Sequence, residues 1–276
     1  MVADAVAAPV LSVRGLRRRY RRRGRLGRRP EVVWALDGAS LDAPAGSLSA
    51  VVGPSGSGKS TLARCITGLE PADDGQVLFE GHDVASLRGA ALAAHRRRAQ
   101  LVFQDPARAL SPRMSVGDIL REPLRIAASL SGQAQIETVA ALLEVVGLPK
   151  DALARRAAEL SGGQRQRLAI ARALALEPAL MILDESLAGL DVSLQAQILN
   201  LLLDLREARG LTLVIVSHDL GLVARVADRI AVLEEGRTVE EGDCDTVLAQ
   251  PQHRLTRGLV AEWRRLEAGL PRVARA

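Results

Sequence analysis

GPSGSGKS, residues 53–60, is the stretch on which the reading of this chain turns. It fits the spacing G-x-x-x-x-G-K-[ST] of a phosphate-binding loop. The apolar run SLSAVV (47–52) before it reads as a strand, and the segment from about Lys59 onward reads as a helix, so position and pattern agree. Gly53, Gly56 and Gly58 let the backbone wrap close to phosphate oxygens, and the free amides and dipole of the helix start favour a bound anion. Lys59 is placed to reach β and γ phosphates, and the Ser60 hydroxyl to ligate Mg2+; Pro54, Ser55, Ser57 and Thr61 complete the lining. Of 37 basic residues only Lys59 and Lys150 are lysines, and a compact ammonium enters a space that a guanidinium cannot. The alternative, a flexible Gly/Ser turn, sits poorly with the strand before it and the helix after it.

ALMILDE (179–185) is a second informative run, an apolar strand that ends in two acids. Burial of the strand leaves Asp184 and Glu185 at its carboxyl end, where open α/β sheets bind ligands. Asp184 is the candidate to hold Mg2+, directly or through water, and Glu185 to accept a proton from, or orient, an attacking water. Alone, an Asp-Glu pair is an ordinary feature of a solvated loop; beside a phosphate loop it points to phosphoryl chemistry.

Further out, strands are expected at 10–14 and 211–217, a short strand with turn residues between 70 and 85, and a hairpin turning at Glu235-Gly236. Helices are expected at 162–176, at 192–209 with Gly210 as its cap, and near 253–268. Between 115 and 160 the pattern is helical only, punctuated by Pro123, Gly147-Leu-Pro149 and Ser161. Continuous apolar strands between amphipathic helices predict an α/β fold with a parallel core sheet, an antiparallel side sheet and an inserted helical subdomain.

With 276 residues, 48% hydrophobic and 25% charged, the chain is sized for one main domain with an insertion. No run approaches the roughly 18 apolar residues of a membrane-spanning helix. Residues 1–11 carry Asp4 and no basic start, against a secretory signal. Cys65 and Cys244 are too few and too distant for a disulfide framework or cysteine metal cluster, and a reducing cytosol is the expected compartment. The net charge of +5 suggests a nucleic-acid binder until its distribution is read. Residues 17–29 hold nine arginines and no acid, and the remainder has 28 basic against 32 acidic residues. This run is expected to form a solvated loop, with contact to anionic lipid as the sharper reading. Nucleic acid comes third, because Tyr20 is the only ring within the run.

LSGGQRQR (160–167) is where the chain resembles a known family, the ATP-binding subunits of ABC transporters, whose signature is this Leu-Ser-Gly-Gly-Gln string. Ser161, Gly162 and Gly163, with Gln164 behind them, would open a helix whose amides face the γ-phosphate of an ATP held by a facing subunit. Read without the family, Ser161 is simply a helix N-cap. The resemblance implies a single ABC ATP-binding domain over about 10–260, with the helical subdomain at about 105–165 and a tail at 261–276. It implies that Gln104 contacts Mg2+ and water, that Asp191 lies at the dimer seam, and that His218 touches the γ-phosphate. Tyr20 is the first choice to stack on adenine and Trp34 the second, among only five aromatic residues. ATP and Mg2+ are the implied ligands, and Glu185, His218, Gln104 and Lys59 the implied catalytic group.

Within that family, VFQDPARALSPRMSVGDIL (102–120), LDVSLQAQILNLL (190–202) and PQHRLTRGLV (251–260) are similar to the dipeptide, oligopeptide and nickel importers, specifically to the second of their two ATPase subunits. The implied partners are two permeases, a paralogous ATPase subunit and an extracytoplasmic solute-binding protein, with no specific nucleic acid. The implied location is peripheral, at the cytoplasmic face of the membrane. An exporter subunit, or a soluble ABC-type ATPase acting on nucleic acid or the ribosome, is the alternative. The second of these usually carries two cassettes or a long coiled coil, and 61–160 is too short and too punctuated for one. Many relatives have Pro-Thr-Ser-Ala-Leu-Asp after the two acids, whereas this chain has Ser-Leu-Ala-Gly-Leu-Asp at 186–191; the acids and Asp191 remain, so hydrolysis is still expected. The cysteine-rich tail of many larger members is missing.

Overall fold

Strands that read as unbroken apolar runs need cover on both faces, and they lie at the centre of a six-stranded sheet. The computed structural model describes residues 9–22, 31–127, 132–187 and 191–268. The chain opens with β1 (Leu11–Arg22), β2 (Glu31–Ala43) and β3 (Leu48–Val52), followed by α1 (Lys59–Ile66), β4 (Asp74–Phe79), β5 (His82–Asp83), α2 (Gly89–Arg98) and β6 (Ala99–Val102). Helices α3 (Pro106–Ala109), α4 (Val116–Ile126), α5 (Gly132–Val145) and α6 (Gly162–Leu174) then precede β7 (Leu180–Asp184), α7 (Val192–Arg209) and β8 (Thr212–Ser217). The last elements are α8 (Leu220–Val226), β9 (Arg229–Glu234), β10 (Arg237–Asp243), α9 (Cys244–Ala249) and α10 (Arg254–Ala268).

The larger sheet runs β10-β9-β3-β8-β7-β6, parallel from β9 to β6, with β10 antiparallel at one edge. A separate antiparallel sheet runs β2-β1-β4-β5. Every residue of β3, β7 and β8 is buried. Along β7 the side chains alternate: Met181 and Leu183 join the core shared with the inserted helices, and Leu180 and Ile182 join the core shared with α1 and the antiparallel sheet. A third core, under Ala50, Val52, Ile230 and Val232, is roofed by α8, α9 and α10. The parallel core, antiparallel side sheet and helical insertion expected from sequence are therefore present, and the insertion occupies the crossover from β6 to β7. The expected boundary at residue 261 falls inside α10.

The arginine run departs from expectation. Residues 17–22 continue β1 as a strand rather than a loop; 23–29 lie outside the described residues. Arginine is tolerated there because acids from neighbouring strands and turns face it. Arg14 pairs with Asp42 (2.7 Å), Arg17 with Asp37 (3.2 Å), and Arg18 and Arg19 with Asp73 (3.4 and 3.5 Å). Arg17, Arg18 and Arg19 of the run thus face acids within the fold. Both cysteines are buried, and burial pushes the thiol of Cys65 up to about 12 and that of Cys244 up to about 11, which leaves them unreactive.

His95 on α2 is buried against the end of α1, where its Nε2 lies 2.9 Å from the Ile66 carbonyl and its ring meets Phe79 edge-on at 5.1 Å. That pairing makes Nε2 the protonated nitrogen of a neutral ring. Burial lowers the His95 pKa, with the Ile66 bond opposing it. A folded pKa below the unfolded value means that this residue's contribution is complete above an unfolded pKa of about 6.5 and is lost as pH falls below it. Urea midpoints measured between pH 7.5 and 5 should therefore fall on the acid side, and His95→Gln, which keeps a donor for Ile66, should flatten that slope.

Candidate functional site

The loop Gly53–Gly58 leaves the buried strand β3 and enters α1 under tight steric limits. Gly53 has φ 155° and Gly58 φ 104°. A Cβ at Gly53 would stand 2.1 Å from the Leu233 carbonyl oxygen, and one at Gly58 2.2 Å from that of Ala35. Both neighbours are backbone, so neither can step aside. Gly58 is also the N-cap of α1 and offers no side-chain cap, so the first amides of the helix keep no partner from a capping side chain. Pro54, Ser55 and Gly56 are exposed, whereas Ser57, Lys59 and Thr61 are buried. The Ser57 hydroxyl is buried without a hydrogen-bond partner. An uncapped helix start, an orphaned hydroxyl and a buried ammonium around one loop are the features of an anion seat.

Lys59 is 4% exposed, and its Nζ donates to the carbonyls of Gly53 (2.8 Å) and Pro54 (3.0 Å). Burial lowers its pKa, opposed by the nearby carboxylates of Glu185 and Asp184. Asp184, at the end of β7, is also 4% exposed and accepts a 2.9 Å hydrogen bond from the Ser60 hydroxyl. Burial raises its pKa, and the Ser60 bond works against that rise. The acid pair is therefore no solvated loop: one member is sealed into the sheet edge.

Glu185 is the meeting point. Its Oε1 lies 3.7 Å from Lys59 Nζ, its Oε2 accepts from Gln104 Nε2 at 3.1 Å, and His218 Nδ1 is 3.8 Å from the same oxygen. Gln104 comes from the end of β6, Glu185 from β7 and His218 from β8, three neighbouring strands whose carboxyl ends share one edge. Glu185 adopts φ 47°, a left-handed conformation costing a non-glycine residue about 1–2 kcal/mol. Its N–H, donating to the Val216 carbonyl at 3.0 Å, pins it there.

The signature residues stand apart. Ser161 caps α6 by accepting from the Gln164 N–H (3.3 Å), while Gln164 accepts from the Ser161 N–H (3.0 Å). Asp191 caps α7 through the Leu194 N–H (2.9 Å); residues 188–190 ahead of it lie outside the described residues. No hydrogen bond or ion pair found among the described residues joins Ser161, Gly162, Gly163, Gln164 or Asp191 to Gly53–Ser60. A Cβ at Gly163 would meet Leu194 Cδ2 at 2.1 Å, so a side chain there would require the leucine to change rotamer. Tyr20 and Trp34 lie on opposite faces of the β1–β2 ribbon. Tyr20 is opposite Val33 and its hydroxyl bonds the Glu70 carboxylate under the Arg18 guanidinium; Trp34 is opposite Arg19, with the guanidiniums of Arg17 and Arg19 6.0 and 5.7 Å from its ring. One contact escaped the sequence reading: Gly236, in the β9–β10 turn, donates to the Ser57 carbonyl (2.9 Å) and accepts from the Asp37 N–H (2.8 Å). Its turn was legible, but nothing in the spacing tied that turn to the loop.

A buried phosphate loop, an acid at the end of the adjacent parallel strand and a helical insertion define a P-loop nucleotide-binding protein. The family model described as ABC transporter matches residues 36–188. A protein of Brucella ovis named as a peptide import ATP-binding protein is 44% identical over 253 residues, covering 92% of this chain and 78% of its own. The dipeptide transport ATP-binding protein DppF of Haemophilus influenzae is 41% identical over 264 residues, covering 96% and 81%. Among solved structures, the dimeric post-hydrolysis state of an ATP-binding cassette bound to ADP and Pi matches with TM-score 0.74 and 28% identity, over 85% of this chain and 98% of that one. This chain belongs to the ABC transporter family, as an ATP-binding and ATP-hydrolysing subunit.

The glycines separate by cause. Gly58→Ala should lower the urea-derived stability by more than about 3 kcal/mol, since strain and a backbone clash act together. At Gly56, φ 81°, an added Cβ meets nothing within 4 Å, and Gly56→Ala should cost only about 1–2 kcal/mol.

Proposed function

We propose that this chain powers import of a peptide-class substrate, as a peripheral subunit at the cytoplasmic face of the membrane that hydrolyses Mg-ATP jointly with a paralogous ATPase. Two permeases and a solute-binding protein would complete the assembly. The observation that carries the catalytic part is the convergence of Lys59, Gln104 and His218 on Glu185, beside the Ser60–Asp184 pair. The names of the relatives favour peptide over nickel or metal-chelate cargo and import over export. No helix among the described residues is long and apolar enough to cross a membrane, so substrate passage would belong to the permeases.

The donor set fits Mg2+. Among the described residues no cluster of three or more His, Cys, Asp or Glu side chains could hold a metal unaided. One carboxylate (Asp184), one hydroxyl (Ser60) and one amide oxygen (Gln104), completed by phosphate oxygens and water, are the oxygen ligands that Mg2+ accepts. The ion would supply neutralisation of phosphoryl charge. Lys59, already aimed into the loop, would exchange the Gly53 and Pro54 carbonyls for β- and γ-phosphate oxygens. Glu185, fixed in its left-handed turn, would orient the attacking water and take its proton, with Gln104 holding the carboxylate from one side and His218 approaching the γ-phosphate from the other.

The separation of Ser161–Gln164 from this chain's own phosphate loop supports a shared site, in which the signature serves the ATP of the facing subunit and Asp191 lies at the seam. The purified chain alone should then hydrolyse ATP poorly and gain strongly when the second ATPase and permeases are added. Full activity of the lone chain at low concentration would refute the arrangement.

Glu185→Gln keeps the shape but removes the base, so hydrolysis in the reconstituted complex should fall by about 100-fold or more while ATP still binds. Lys59→Ala should instead weaken nucleotide binding itself, because the ammonium acts on the ground state too. Wild-type turnover by Glu185→Gln would remove Glu185 from the catalytic role. If Tyr20 stacks on adenine, Tyr20→Ala should raise the KM for ATP more than it lowers kcat, and Trp34→Ala should do neither. The reverse result would transfer the role to Trp34.

A further inference from the structure

The C-terminal helix has no part in the chemistry described above, yet it reaches the element that carries His218. Helix α10 is tied at its start by Glu240 of β10, whose carboxylate accepts from the N–H groups of Gln252 (2.8 Å) and His253 (2.9 Å). Further along, Arg264 donates to the Leu248 carbonyl of α9 at 3.0 Å. Between these ties Leu255, Leu259, Val260 and Trp263 pack onto the core of Ala50, Val52, Leu220 and Val223, which lies under β3 and α8.

Trp263 makes the critical contact. A Cβ at Gly221 would stand 3.4 Å from both Cδ1 and Nε1 of the indole and 3.2 Å from Oδ1 of Asp219. Gly221 thus faces the ring with room for a methyl at ordinary contact distance, and is tighter only against the carboxylate that caps α8 by accepting from the Leu222 N–H at 3.0 Å. Asp219 directly follows His218, and its own N–H donates to the Ser217 hydroxyl at 2.9 Å, which fixes the turn at both ends. The indole Nε1 is buried with no hydrogen-bond partner. With no hydrogen bond to anchor it, the ring is held in place by packing.

We propose that Trp263 is a positioning residue for His218: α10, anchored by Glu240, packs the indole against the start of α8, beside Gly221 and over the core of Leu220 and Val223, and so backs the turn that aims His218 at the nucleotide. This rests on the reading of His218 as the γ-phosphate contact. His218 itself is 60% exposed, with the Glu185 carboxylate 3.8 Å from its Nδ1. Its aim also depends on the segment behind it, and a misplacement of about 1 Å at a reacting centre can cost on the order of 100-fold in rate.

The test uses the full chain carrying Trp34→Phe, in which Trp263 is the only tryptophan, in a Glu185→Gln background that preserves bound ATP. Binding of radiolabelled ATP and ADP is measured separately by equilibrium dialysis. Mg-ATP should shift the Trp263 emission, Mg-ADP should not, and His218→Ala should abolish the shift while ATP still binds. Equal responses to ATP and ADP, or a shift that survives His218→Ala, would overturn the proposal. Failure of ATP to bind at all would sink the nucleotide-site reading, and this inference with it. In the assembled transporter with Glu185 restored, Trp263→Ala should lower kcat about 10-fold with KM for ATP within about twofold, and Trp263→Phe should recover most of the loss. A parallel rise in KM, or no rescue by phenylalanine in a chain of unchanged urea midpoint, would show that the helix merely stabilises the fold.

Discussion

Lys59, at the start of α1, and Asp184, at the end of β7, are ionisable groups sealed beside buried strands, and such groups are tolerable only when each finds partners. Removing one member of a buried pair typically costs about 3–5 kcal/mol, far more than a surface ion pair is worth. That constraint accounts for much of the surrounding architecture. The loop must curl so that its carbonyls face Lys59, which demands glycine where Leu233 and Ala35 crowd the backbone. Ser60 must begin α1 where its hydroxyl meets Asp184. Glu185 must turn left-handed to face Lys59, and β8 must run beside β7 to receive its N–H.

The two sheets are held in register by the same region. Gly236 links the Ser57 carbonyl to the Asp37 N–H, while Thr238 bonds Ser40 from both its hydroxyl oxygen and proton. Glu241 accepts from the Asp42 N–H. The β9–β10 hairpin is thus a strap between the phosphate loop and the antiparallel sheet bearing Tyr20 and Trp34. Its turn is tied to both by the backbone of Gly236, and its second strand to β2 by the side chains of Thr238 and Glu241.

Much of the core was legible because β3, β7 and β8 are short, mostly apolar and bounded by turn residues. β1 was legible only in its first residues. Beyond Leu16 it carries arginines, and a run of arginine reads as solvated until Asp37 and Asp73 are known to face it from elsewhere. β2 was not foreseen as a strand, nor α2, whose ALAAHRRR ends in charge and has only His95 buried. The site was legible in two ways. Gly53–Ser60 and Asp184-Glu185 announced themselves by chemistry and spacing. Gln104 and His218, 81 residues before and 33 after Glu185, became candidates only through resemblance, since spacing does not show which strands are neighbours. The Trp263–Gly221 contact left no signal at all, because a tryptophan on an amphipathic helix is an ordinary core residue.

The cap at Ser161 carries a mechanical consequence. A hydroxyl has two lone pairs and one proton; the Gln164 N–H takes one lone pair, and the proton remains free to meet an oxygen arriving from outside the chain. The cap is therefore complete within the chain, and a guest of the kind proposed above would need no refolding of the helix start. Behind it, Gln166, Leu168, Ile170 and Ala171 are buried, and Arg172 reaches Glu122 of α4 at 2.9 Å. Under the shared-site proposal, a pull on the exposed tip would meet a packed helix side rather than a loose turn, and α4 would be the first neighbour to register it.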